Sequence, residues 1–114
     1  MKFLLLTYDQ EKRWTALGEA DRNADYQEFA AFGKEFAAAI QGGEALQPTS
    51  GARTIRVRNG KPLVTDGPFA ETKEQLAGYY LVEAKDIEGA LAIAAKIPWA
   101  RFGSIEVRPV MQFS

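Results

Sequence analysis

The chain has 114 residues, 46% of them hydrophobic and 25% charged, with a formal net charge of −1. That suits one globular domain over residues 1–114 and leaves no field to gather nucleic acid or an anionic membrane. With no cysteine and no histidine, disulfides, thiolate chemistry and zinc or haem ligation of the usual kind fall away. Proton chemistry is left to Asp, Glu, Tyr or Lys, and no metal or cofactor is expected.

Lys2 to Tyr8 is apolar on both alternating faces, with Phe3, Leu5 and Thr7 on one and Leu4, Leu6 and Tyr8 on the other. This predicts a strand covered on both sides. The run stops at Asp9 without a small-residue cleavage site, so it reads as a strand and not as a signal peptide. No run approaches the ~18 apolar residues of a membrane span, and a cytoplasmic protein is expected.

A helix is predicted from about Glu19 to Ile40, carrying Tyr26, Phe29, Phe36 and Ile40 at helical spacing, with Gly42-Gly43 as its stop. Glu44 to Pro48 suits a short strand, and Thr49-Ser50-Gly51 a turn. Arg53–Arg58 and Lys61–Thr65 flank Asn59-Gly60, the strongest short signal for a β-hairpin. Its arginines read as the wet side of an edge hairpin guarded against aggregation.

After the Asp66-Gly67-Pro68-Phe69 turn, Thr72-Lys73-Glu74-Gln75 has the spacing of a capping box and predicts a single helical turn. Gly78–Glu83 is a strand, and Asp86 caps a helix through Lys96 that Pro98 ends. Ser104–Gln112 is the last strand.

The order strand, helix, strand, inserted hairpin, strand, helix, strand fits an α+β fold, a ferredoxin-like two-layer plait (βαββαβ) with both helices on one sheet face. The other face, apolar at the first strand and at Tyr79 and Leu81, needs a cover, and a homodimer supplies one.

In this plait one edge gathers Tyr8, Asp9, Trp14, the Asp66–Glu74 turn and Trp99–Phe102. Asp66 sits on a turn constrained by Gly67 and Pro68, and reads either as a functional carboxylate or as an Asx-turn acceptor. Arg101 reads either as a fork for a carboxylate or phosphate or as the surface partner of Asp9 or Asp66. Tyr8 reads as a proton donor or as a rim tyrosine. Trp14, Phe69 and Trp99 read as pocket walls or packing, and Lys73 as a cation beside Asp66.

Across essentially its whole length the chain resembles the YCII-related family, in its DGPF branch. The likeness is carried by Met1-Lys2-Phe3-Leu4-Leu5-Leu6, Gly42–Pro48, Val64–Glu74 and Glu106–Val110. The resemblance implies a plait of the dimeric α/β-barrel type, like that of muconolactone isomerase, with a small cleft and an undemonstrated enzymatic role. It also implies an accessory part beside sigma factors of the extracytoplasmic-function class. The wider family's Asp–His pair cannot form in a chain without histidine, and Asp66 is its remaining half.

Three functions follow. The first is a small-molecule binding protein, with regulation as one use of the binding, built on Tyr8, Trp14, Asp66, Phe69, Lys73, Trp99 and Arg101. The second is a cofactor-free isomerase or lyase with Asp66 as general base. The third is a protein-interaction module with no ligand site.

Overall fold

The computed structural model describes residues 1–113. Its main sheet is antiparallel, with strand order β2-β5-β1-β6: β1 (Lys2–Asp9), β2 (Ile40–Ala45), β5 (Gln75–Glu83) and β6 (Ser104–Pro109). Strands β3 (Arg53–Arg58) and β4 (Lys61–Asp66) pair only with each other, as a second sheet. The helices are α1 (Glu11–Thr15), α2 (Glu19–Glu35) and α3 (Ile87–Ala94), with short 3-10 turns at Thr49–Gly51 and Pro98–Arg101.

The alternation in β1 sorts its side chains as the sequence requires. Phe3 and Leu5 are fully buried, and they cluster with Val82, Phe32 of α2, Ala90, Ile93 and Ala94 of α3, and Ile97. Each large apolar side chain buried there contributes about 1.5–3 kcal/mol. Leu4 and Leu6 face the other way, opposite Leu81 and Tyr79 on one side and Arg108 and Glu106 on the other, and are half-buried.

The expected dimeric α/β-barrel type is overturned: the described residues form a mixed α/β fold of three helices and two open sheets. Among the described residues no sheet closes into a barrel, because β2 and β6 end the main sheet as edges and the hairpin adds to neither.

The long helix ends at Glu35, and Gly42-Gly43 lies inside β2. Glycine is required there for a reason of approach: a Cβ on Gly43 would sit 2.5 Å from the Tyr79 carbonyl oxygen, next to a register shift between Ile40 and Gly42. The capping box forms no helix. The Thr72 hydroxyl donates to the Glu74 carbonyl, the Gln75 amide group donates to the Thr72 carbonyl, and Gln75 opens β5. The Asn59-Gly60 hairpin forms as its dipeptide requires, with φ of 51° and 74° at the two turn residues.

A second close approach fixes the corner beside Asp9, where a Cβ on Gly103 would lie 2.0 Å from the Tyr8 carbonyl oxygen. Gly103→Ala is expected to cost at least about 2 kcal/mol, measured as an earlier urea midpoint. An unchanged midpoint would show that the corner relaxes freely.

Candidate functional site

A hollow of about 460 Å³ lies between α2 and the β2–β5 side of the sheet. Aromatic and apolar side chains wall it: Trp14, Leu17, Tyr26, Phe29, Tyr80 and Trp99. Its polar lining residues are Thr7, Arg22, Asp25 and Glu44, beside the tyrosines Tyr26, Tyr79 and Tyr80. A mostly apolar hollow with a few converging polar groups is the usual form of a small-molecule site.

Trp99 organises it. Its ring stacks on Trp14 at 5.1 Å between centroids and meets the edge of Phe29 at 5.7 Å. Its indole N–H donates to Oδ2 of Asp25 at 3.0 Å. This bond orients the half-buried carboxylate through Oδ2, and an ionised carboxylate keeps acceptor capacity on its other oxygen. Asp25, Phe29 and Phe32 form one stripe along α2 that the C-cap residue Phe36 continues, so the helix carries an acid at the edge of its own apolar face.

Helix α1 sets Trp14 in place. Its first backbone N–H donates to Oε1 of Gln75 at 2.9 Å, and the Glu11 carboxylate accepts from the Thr49 backbone N–H at 2.6 Å and from the Thr49 hydroxyl at 2.9 Å. Behind it, Asp9 is 2% exposed. It accepts from the Gln10 backbone N–H at 2.7 Å and from Nε of Arg13 at 2.6 Å. The Arg13 guanidinium lies between the rings of Trp99, at 4.8 Å, and Phe102, at 4.1 Å. Asp9 is therefore a positioning residue for α1, with its carboxylate engaged behind the aromatic wall.

Burial raises the pKa of the Tyr80 hydroxyl above its ordinary 10.0, so it stays protonated as a donor throughout the neutral range. For a proton held more tightly in the folded than in the unfolded chain, the stability it contributes is fully present below pH 10. It is lost as pH rises through the folded pKa. Tyr80→Phe is expected to lessen the fall in stability above pH 10, read by urea melts across that window. An equal alkaline fall in parent and variant would contradict the burial.

Of the residues the sequence singles out, Trp14 and Trp99 meet in this cavity. Tyr8 lies on the opposite sheet face, with Leu4 and Leu6. Arg101 pairs with Glu28 at 2.8 Å and borders a smaller hollow between α2 and the Ala95 to Arg101 segment that follows α3. Asp66 stands at the end of β4 with its side chain 95% exposed, 3.6 Å from Arg53. Gly67 beside it takes the positive φ expected of it, 93°. Phe69 is 77% exposed and Lys73 is exposed, and none of Asp66, Phe69 and Lys73 lines the cavity.

Sequence reasoning missed Asp25, Arg22, Phe29 and Tyr80 as a group. The available signal was the acid heading the Phe29/Phe32/Phe36 stripe. Among the described residues, no three Asp or Glu side chains converge as a metal site, and no helix is long and apolar enough to cross a membrane.

The YCII-related domain matches residues 1–114. The chain belongs to the YCII-related family. It is 35% identical over 114 residues to an uncharacterised protein of Rhizobium meliloti (strain 1021), covering 96% of this chain and 92% of that one. In fold it is similar to 5-chloro-2-hydroxyhydroquinone dehydrochlorinase from Burkholderia phenoliruptrix AC1100, solved in complex with 2,5-dihydroxybenzoquinone. The TM-score is 0.58 at 16% sequence identity, over 99% of this chain and 96% of that one.

Proposed function

We propose that the chain is a cofactor-free lyase or isomerase acting on a small hydroxylated ring, and that it works as a homodimer. The observation that carries this reading is the pairing of an aromatic-walled cavity with the Asp25 carboxylate, fixed by the Trp99 indole. Asp25 takes a proton from a ring hydroxyl or from carbon beside a ring carbonyl. The Tyr80 hydroxyl and Arg22 meet the negative charge that develops on the ring oxygen. The electron pair then expels an anion, which completes an elimination, or accepts a proton at another carbon, which completes an isomerisation.

The fold shared with a dehydrochlorinase supports the choice of reaction class, and the flat walls formed by Trp14, Phe29 and Trp99 support a planar substrate. The Asp66–Glu74 string supports placement in the DGPF branch. The half-buried apolar residues of the main sheet, on the face away from the helices, support the homodimer.

The test incubates the protein with 5-chloro-2-hydroxyhydroquinone and with unhalogenated hydroxyquinones, reading chloride release and ring absorbance. Turnover above the buffer rate is expected. Ligands that raise the melting temperature yet are recovered unchanged would leave a binding protein in place of an enzyme.

A further inference from the structure

The β3–β4 hairpin is an arm with two unlike faces. Register puts Ile55, Val57, Pro62 and Val64 on one face, with the Arg53–Asp66 pair at its base, and Arg56, Arg58, Lys61 and Leu63 on the other. Ile55, Val57 and Val64 are all exposed, so the apolar face has no cover among the described residues. A two-stranded hairpin alone is marginally stable in water.

The chain's dimensions say the same. Its radius of gyration is 16.1 Å, against about 13 Å for a compact domain of this length. Its accessible surface is 8250 Å², roughly 2,000 Å² above the ~6,200 Å² usual for a monomer of its mass. That excess is more than the roughly 800 Å² each partner buries in a standard interface, and falls in the range of an obligate one.

The main sheet offers a second uncovered surface of matching make-up. Leu4, Leu6, Tyr79 and Leu81 share a face with Glu106 and Arg108, whose side chains lie 3.9 Å apart. Each surface is an apolar patch with one cation–carboxylate pair at its margin.

We infer that the β3–β4 arm of each protomer docks its Ile55/Val57/Val64 face on the Leu4/Leu6/Leu81 face of a second copy of this chain. This rests on the homodimer proposed above and names the contact that holds it. Docking sets Asp66 against Arg108 of the second copy and Arg53 against its Glu106, so two exposed pairs become one four-charge network. Asp66 and its turn then serve as the anchor of the arm, which accounts for a constrained carboxylate standing away from the cavity. The basic face carrying Arg56, Arg58 and Lys61 stays toward water.

Sedimentation and cross-linking test this without reference to turnover. The parent is expected to sediment as a dimer, and Ile55→Asp/Val57→Asp to weaken that dimer about a hundredfold or more while the main sheet's circular dichroism is kept. Because the chain has no cysteine, a tagged Val57→Cys chain can be mixed with an untagged Arg108→Cys chain and treated with a short bis-maleimide. The mixed product is expected to predominate. A parent that is monomeric overturns both the homodimer and the arm contact. A dimer that survives the double substitution, or that cross-links only arm to arm, overturns the arm contact alone.

Discussion

Asp25→Asn is expected to lower kcat by a factor on the order of 10²–10⁴, the usual contribution of a positioned general base. KM is expected to change little. The substituted amide keeps an oxygen that can accept the Trp99 indole N–H, now bonded to Oδ2 at 3.0 Å, so the cavity wall holds its shape while the base is lost. Binding and chemistry are thereby separated: steady-state rates on any ring substrate should fall while the ligand-induced rise in melting temperature remains. Equal kcat in parent and variant would remove Asp25 from the reaction.

Asp9→Ala is expected to be the most destabilising single change, at about 3 kcal/mol or more, because it leaves the Arg13 cation without its partner behind the aromatic wall. Arg13 is 26% exposed at its side chain, which places the loss toward the lower end of the range for a broken buried pair. Its Nη2 is already buried without a hydrogen-bond partner among the described residues, so little remains nearby to compensate. The Asp9→Ala/Arg13→Ala double variant should lose less than the two single losses added together, as coupled residues do. The functional consequence runs through α1: with its anchor gone, Trp14 loosens from Trp99, and KM should rise more than kcat falls. Urea melts of the four proteins give the coupling directly, and strict additivity would mean that the pair is not coupled.

Much of this arrangement was legible in the sequence where the signal is local. The two-faced pattern of β1, the Asn59-Gly60 hairpin and the Asp86 cap, whose carboxylate accepts from the Gly89 N–H at 2.9 Å, follow from residues within a few positions of one another. The meeting of Trp14 with Trp99 was also within reach, since topology brings those connections to one edge. Helix α1 was not legible, because five residues are too short to show a helical period. Gly42-Gly43 reads as a helix stop until the approach to Tyr79 shows why a strand needs glycine there.

Asp66 was harder for a different reason. Its turn carries the chemistry of a rigid acidic site, but where that turn sits depends on whether the hairpin folds onto the main sheet, and the hairpin pairs only with itself. Asp25 stayed hidden because acids early in a helix are ordinarily explained by its dipole. Only the position of Trp99, distant in sequence, shows that this acid accepts the indole N–H at the cavity wall.

The cavity, and with it the proposed chemistry, can be tested through the two tryptophans. The chain has only Trp14 and Trp99, and both line the hollow, so a ¹⁵N-correlated proton spectrum contains two indole signals, one of them from the N–H bonded to Asp25. Titration with 2,5-dihydroxybenzoquinone is expected to shift both signals together along one saturating curve, with the shift of the Trp99 signal altered in Asp25→Asn. Two indole signals that stay in place while the quinone is raised to millimolar concentration would contradict a ring-binding site between α2 and the sheet.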